Sequence, residues 1–150
     1  ITDVHARYIR EGRIKLDKTR FSGPITYHDP CQIARNAGVF DEPRYILKHI
    51  TDNFREMSPD PKYNWCCGGG GGLVALGEET LDFRMKSARV KAEQVKETGA
   101  TILTTACENC HSQLSDLNSH YELGVDVMFL SSMVADALVA DSNQATNMAA

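Results

Sequence analysis

Five cysteines are the residues whose types and spacing could do chemistry: Cys31, Cys66, Cys67, Cys107 and Cys110. They run C-x34-CC-x39-C-x2-C, and each lies in one of three local blocks, "HDPC", "NWCCGGGGGL" and "ACENC". An odd count with no apolar leader argues against a disulfide framework and for metal or redox chemistry. Buried as small hydrophobes, the thiols would do nothing. A thioredoxin-like pair at Cys107/Cys110 would leave the other cysteines unexplained. Zinc takes four tetrahedral ligands, usually from two short-spaced pairs, and Cys107/Cys110 suits such a knuckle. Cys66/Cys67 suits it badly, because adjacent residues of extended chain point apart, and five thiolates exceed the needs of one zinc ion. A polynuclear iron–sulfur cluster is larger, and it accepts adjacent cysteines on different metal atoms.

The five glycines that follow, Gly68 to Gly72, bring no side chains and raise the entropy lost on ordering the loop, so packing does not explain them. A bulky anionic cluster needs backbone close by, with amides free to bond its sulfurs. Gly68, Gly69 and Gly70 are therefore expected to line a cofactor. The helix after the loop is expected to add the positive end of its dipole. His28, three residues before Cys31, is the catalytic candidate, as a donor to cluster or substrate sulfur or as a proton source. The competing reading is a turn histidine bonded to backbone. Arg35 could offset cluster charge or be solvated. Trp65 reads by default as core, with a role in shielding the cluster as the alternative. His111 is expected to be exposed. The basic residues between 84 and 96 read as the wet face of an amphipathic helix, or as a dock for an acidic partner.

Elements that would position these residues follow from pattern. Residues 1–23 read as a helix and a charged connector. Pro24 to Tyr27 reads as a short strand ended by His28-Asp29-Pro30. "FDEPRYILKHITDNF" reads as a helix with an apolar stripe at Ile46, Leu47, Ile50 and Phe54. The strongest helix is expected over Glu78 to Thr98, stopped by Gly99, with Leu81, Met85, Ala88, Ala92 and Val95 on one face. "ATILTTAC" reads as a strand, "ENCHSQLSDLNSHYELG" as a helix facing inward through Cys110, Leu114, Leu117 and Tyr121, and "VDVMFL" as a third strand. "SSMVADALVA" reads as a last helix capped by Ser131 or Ser132, and 141–150 as a flexible tail. Strands alternating with helices predict an α/β fold, a mainly parallel sheet flanked by helices. Ligand sites of such sheets lie beyond the carboxyl ends of the strands. Cys31 and Cys107 each follow a strand, so the cysteine-bearing loops are expected at one sheet edge.

The 150 residues suit a single domain, taken as 1–140. A formal charge of −4 argues against a nucleic-acid partner or a polybasic membrane patch. No apolar run approaches the ~20 residues of a membrane span. A polar, charged start predicts a cytoplasmic location, with membrane association, if any, through partner subunits. The chain begins at Ile1, and it is expected to be the carboxy-terminal part of a longer protein.

Together "HDPC", "CCGGGGG" and "ACENC" resemble the cysteine-rich CCG domain of heterodisulfide reductase catalytic subunits and their relatives, over about residues 24–135. Those relatives include iron–sulfur subunits of glycolate and lactate oxidases, anaerobic glycerol-3-phosphate dehydrogenase, and a subunit of sulfate-reducer membrane redox complexes. "FRMKSARVKAEQ" looks nearest to the heterodisulfide reductase and sulfate-reducer members. The resemblance implies a non-cubane 4Fe-4S cluster held by Cys31, Cys66, Cys67, Cys107 and Cys110. It implies an oxidoreductase that makes or breaks a disulfide-type bond in two one-electron steps, in an anaerobic respiratory complex. The implied partners are a ferredoxin-type iron–sulfur domain or subunits of a membrane-bound redox complex, and a thiol/disulfide substrate, small molecule or small protein. The family often carries His where this chain has Gln32, which touches no implied ligand. Some CCG motifs bind zinc, so zinc stays open as the cofactor. An electron-transfer module of a flavin-linked oxidase or dehydrogenase, or a zinc-binding docking domain, stays open as the function.

Overall fold

A computed structural model describes residues 1–59 and 61–139. The expected tail, 141–150, lies outside the described residues. Three parallel strands, β1 (Ile25–His28), β2 (Ile102–Thr105) and β3 (Asp126–Phe129), form one sheet in the order β1-β2-β3. Ile25 pairs with Ile102 and His28 with Thr105; Thr105 in turn pairs with Phe129. The carboxyl ends of the strands are thus level, and the segments carrying Cys31 and Cys107 leave the sheet at the same edge, as expected.

Helices cover both faces. On one side α1 (Thr2–Arg10), α2 (Asp41–Ile50) and α5 (Leu130–Asp136) pack through Ala6, Ile46, Leu47, Ile50, Leu130 and Met133 onto Ile25 and Tyr27. On the other, α3 (Leu81–Thr98) and α4 (Glu108–Tyr121) pack Met85, Ala88, Ala92, Val95, Leu114 and Leu117 onto Leu103. Because a strand alternates its side chains, Ile25 and Tyr27 point into the first layer and leave His28 to the second. That parity aims the histidine toward the cysteines.

Several boundaries differ from the sequence pattern, each for a local reason. Helix α2 ends at Ile50, because Thr51 turns extended and its hydroxyl accepts a bond from the Asn53 amide at 3.0 Å. The following residues instead pair with β1: the Ile25 amide donates to Asn53 O and the Arg55 amide to Ile25 O. Helix α3 starts at Leu81. Val74–Thr80 before it is a 3-10 segment kinked at Gly77, whose φ of 60° only glycine adopts readily. The glycine run therefore does not lead straight into a helix N-terminus, and the expected dipole contribution of α3 to the loop is not there. The Gly99 stop is as expected, left-handed at φ 57°. Helix α5 starts at Leu130 behind Phe129, so Ser131 and Ser132 sit in its first turn and neither caps it. No described helix is long and apolar enough to cross a membrane.

Candidate metal centre

The centre begins with β1. Its last residue, His28, is 1% exposed and points into the layer under α3 and α4. It is not the turn histidine of the competing reading, because neither ring nitrogen has a hydrogen-bond partner among the described residues. Burial, then the Lys91 charge, pushes its pKa well below the ordinary histidine value, so the ring is neutral. Its ligand atom lies with Cys67 Sγ and Cys110 Sγ in one group, all within 4.8 Å of one another. Both thiols are buried, and Cys67 donates to Cys110 at 3.4 Å. That bond favours the protonated thiol, and burial adds to it despite an opposing bond with Cys66; the Cys67 pKa is pushed up to about 12. Cys66 is pushed up too, first by its bond with Cys67 and then by burial. Without metal these thiols hold their protons, so metal loading must displace them.

Of the remaining cysteines, Cys66 bonds Cys67 but lies, with Cys31 and Cys107, outside this buried group. Cys31 and Cys66 are exposed and line one recess, with Arg35 and Trp65 on its wall. Cys107 is partly buried at the position preceding α4, in extended backbone, with its side chain making no cap. The five expected ligands therefore divide into a closed pair beside His28, an open pair at the recess, and Cys107 on the helix side.

The glycine loop has more packing in it than its composition suggests. A Cβ on Gly69 would stand 2.6 Å from Val74 Cγ2 and 2.8 Å from Gln113 Cβ; one on Gly68 would stand 2.8 Å from Ala88 Cβ. Gly68 also has φ 88°. The backbone is bare here because Gly68 is pressed between α3 and α4 and Gly69 between Val74 and α4, which corrects the reading that packing plays no part. Gly70 faces open space. The expected amide–sulfur bonding is seen at Gly68, whose amide donates to Cys66 Sγ at 3.3 Å.

Residues outside the cysteine blocks organise the floor. Asn64 donates through Nδ2 to Asp29 O at 3.0 Å, accepts from Lys91 at Oδ1, and accepts from Arg35 Nη2 at its carbonyl, 2.8 Å away. It ties the segment before Cys66 to the turn before Cys31. Lys91 is fully buried and Arg84 nearly so, correcting the reading of both as wet-face residues. Arg84, Ala88, Lys91 and Val95 step by four, three and four, one arc of the helix. Arg84 spends its charge on Asp116 at 2.7 Å and bonds Gln113, clamping α3 to α4. Lys86 and Arg89 are on the wet face as expected. Trp65 is 55% exposed on the rim of the recess instead of in the core. His111 is half-buried instead of exposed, stacked on Phe129 at 4.1 Å and bonded to Val127 O.

A buried, neutral imidazole with two unpartnered nitrogens beside two thiols is an incomplete set of polar contacts. Nitrogen and sulfur donors of this kind suit a soft or borderline metal group, zinc or iron–sulfur, and not a hard cation such as calcium or magnesium. The residues present therefore fit a metal centre.

Residues 25–115 match the cysteine-rich domain family CCG. The chain is 40% identical over 139 residues to a component of the dihydromethanophenazine:CoB–CoM heterodisulfide reductase of Methanosarcina barkeri, covering 92% of this chain and 33% of that protein. It is 34% identical over 149 residues to Hdr-like menaquinol oxidoreductase iron-sulfur subunit 2 of Archaeoglobus fulgidus, covering 93% and 26%. With EtfAB:quinone oxidoreductase of Syntrophomonas wolfei the identity is 30% over 119 residues, 77% of this chain and 16% of the relative. The chain spans a third or less of the length of these relatives. Three strands with the cysteines at their carboxyl ends, a buried thiol pair and the matched span agree: the chain belongs to the CCG cysteine-rich domain family, alongside the heterodisulfide reductase and Hdr-like subunits.

Proposed function

We propose that the chain is a heterodisulfide reductase-like catalytic domain that holds a non-cubane 4Fe-4S cluster and exchanges electrons with a thiol/disulfide substrate. The observation that carries this reading is the division of the cysteines into a closed floor and an open wall. Cys67 and Cys110 are sealed under α3 and α4, whereas Cys31 and Cys66 reach solvent at one recess. A centre meant only to be structural would favour closure on all sides. The open wall leaves Cys31 and Cys66 exposed to a sulfur compound in solution.

The cluster, when bound, supplies one-electron chemistry at iron within reach of a substrate sulfur. Cys31, Cys66, Cys67, Cys107 and Cys110 would hold it, and their thiol protons leave on loading. His28 presents a neutral ring to the floor, with both nitrogens unpartnered among the described residues, so one N–H is free to bond a sulfur of the loaded centre. Gly68 orients the Cys66 sulfur through its amide. Met57, Leu103 and Leu114 exclude water from the floor. In this reading electrons arrive from a ferredoxin-type iron–sulfur domain or from subunits of a membrane-bound redox complex.

One observation favours a second reading. His28, Cys67 and Cys110 already form a compact nitrogen–sulfur group of the kind zinc takes. Anaerobic reconstitution of the full-length protein, with iron, sulfide and zinc analysis and EPR, separates the two. About four irons per CCG motif and an EPR signal altered by added disulfide or thiol support the first. One zinc and no iron supports the second. An iron signal indifferent to thiols and disulfides leaves an electron-transfer module.

A further inference from the structure

Lys91 is 0% exposed, on the face of α3 turned toward the cysteines. Its ammonium bonds the Asn64 side-chain oxygen and approaches Met57 Sδ at 3.6 Å, both uncharged groups. Among the described residues none forms a salt bridge with it. The other buried cation of α3, Arg84, has a carboxylate at 2.7 Å. A buried ammonium without a counter-anion is strongly unfavourable, and such groups are paired or shifted toward neutrality. Of the groups facing it, Asp29 is a carboxylate, and Cys67, Cys66 and Cys110 become anionic once metal loading takes their protons. Asp29 is already gripped by Arg44 through both oxygens. The cysteine sulfurs are what is left to answer the charge.

Resting on the iron–sulfur reading above, we propose that Lys91 is the buried counter-charge of the centre held by Cys66, Cys67 and Cys110, placed to raise its reduction potential. A reduced cluster carries one more negative charge than an oxidised one. A fixed cation in a low-dielectric layer stabilises the reduced form more. The Asn64 oxygen holds the ammonium in place without cancelling its charge. Lys91 acts through the centre and touches no substrate, so it is a positioning residue.

The test uses the full-length holoprotein, with iron and sulfide content and the midpoint potential from EPR-monitored redox titration. Lys91→Met and Lys91→Gln remove the charge at similar length. Both are expected to keep iron and to move the midpoint to more negative values. Lys86→Met, on the exposed side of the same helix, is expected to leave it unchanged. Met57→Glu keeps the ammonium but hands it a carboxylate, and it is expected to shift the midpoint the same way, with Met57→Gln as the neutral control. Iron-loaded Lys91 variants with the wild-type midpoint overturn the proposal. If the neutral Lys91 variants lose the cluster, Lys91→Arg decides: iron retained at the wild-type midpoint supports the counter-charge, and iron lost there too overturns it. Failure of the underlying reading shows separately, as zinc without iron in the wild-type protein before any variant is made.

Discussion

Arg44 grips Asp29 through two parallel bonds, Nη1 to Oδ1 at 2.8 Å and Nη2 to Oδ2 at 2.7 Å. The same guanidinium takes both oxygens of Glu56 and the carbonyl of Phe40. Burial raises the Asp29 carboxyl, and the paired guanidinium pulls against that rise. Asp29 stands between His28 and the Pro30-Cys31 turn, so one fork on α2 fixes the path from the closed floor to the open wall. A planar five-donor group is what this geometry asks for.

Arg44→Ala is accordingly expected to destabilise the protein by about 3 kcal/mol, since it leaves Asp29 as a buried, unpaired carboxylate. The sign of its pH dependence follows. Without Arg44, burial and Glu56 raise Asp29 against only the Lys91 charge, and its folded pKa then lies further above the unfolded one. The penalty is present above the unfolded pKa and is relieved as protonation neutralises the group. The deficit against wild type should shrink between pH 7 and pH 4 in urea titrations. A deficit independent of pH would assign the loss to packing of the arginine stem.

Substitutions along the glycine run separate packing from flexibility. Gly68→Ala and Gly69→Ala each force a Cβ into atoms under 3 Å away and are expected to cost about 1–3 kcal/mol. Gly68→Ala adds the strain of φ 88°. Gly70→Ala meets nothing, and it should stay within about 0.5 kcal/mol of wild type. Thermal melts and metal content of the three variants check this. Equal effects at Gly69 and Gly70 would mean that Gly69 does not wedge between Val74 and α4.

These same residues mark how far the sequence carries. Strand order of the chemistry is legible: cysteines that follow two parallel strands must leave the sheet at its carboxyl edge, and Cys31 and Cys107 do. The inward face of α4 through Cys110, Leu114 and Leu117 is legible from its period. Lys91 and Arg84 are not, because a helical arc wide enough to bury a base looks, in one dimension, like the edge of the wet face. Gly68 and Gly69 mislead because close approach depends on helices distant in sequence. The Asn64 hub gives no signal at all, since an asparagine in a loop has no periodic context. Trp65 misleads by its size, which favours burial but does not secure it.

His28 offers a test in which a structural residue and a metal-facing one move in opposite directions. In the metal-free protein its two ring nitrogens are buried without partners. Replacing a buried unsatisfied polar group by an apolar one of similar size is neutral or stabilising. His28→Leu is expected to melt no lower than wild type without metal, yet to lose metal or alter its spectrum when loaded. A fall in the metal-free melting temperature by several degrees would show that the imidazole already serves the fold.

Reactivity should follow the division of the cysteines. In the metal-free protein Cys31 is exposed, whereas Cys67 and Cys110 are buried and Cys67 titrates at about 12. Thiolate, not thiol, is the nucleophile. Iodoacetamide at pH 8, followed by peptide mass mapping, should label Cys31 first and Cys67 among the last. Loading with metal should protect all the residues that bind it, so Cys31 left reactive in the loaded protein would remove it from the ligand set.

The buried cation should also be visible in stability. Burial lowers Lys91 to about 8, against an ordinary lysine value of 10.5, so the ammonium persists at neutral pH at a cost to the fold. Between about 8 and 10.5 the unfolded chain holds a proton that the folded chain has released. Stability then rises with pH across that window, and below it the cost is full, on the order of 3 kcal/mol relative to an unshifted lysine. Lys91→Met removes this dependence, while the orphaned Asn64 oxygen adds only a pH-independent loss. Cys67, raised to about 12, makes the opposite contribution at higher pH, where the folded chain keeps a proton the unfolded one has lost. Lys91 and Cys67 are coupled, so that contribution does not fully cancel, and the test rests on the rise that begins at about 8. Urea titrations of metal-free wild type and Lys91→Met at pH 7, 8, 9 and 10 should therefore show wild type gaining on the variant above pH 8. A constant difference across the series would mean that Lys91 is not a costly buried charge, and it would remove the physical reason for an anionic centre to answer it.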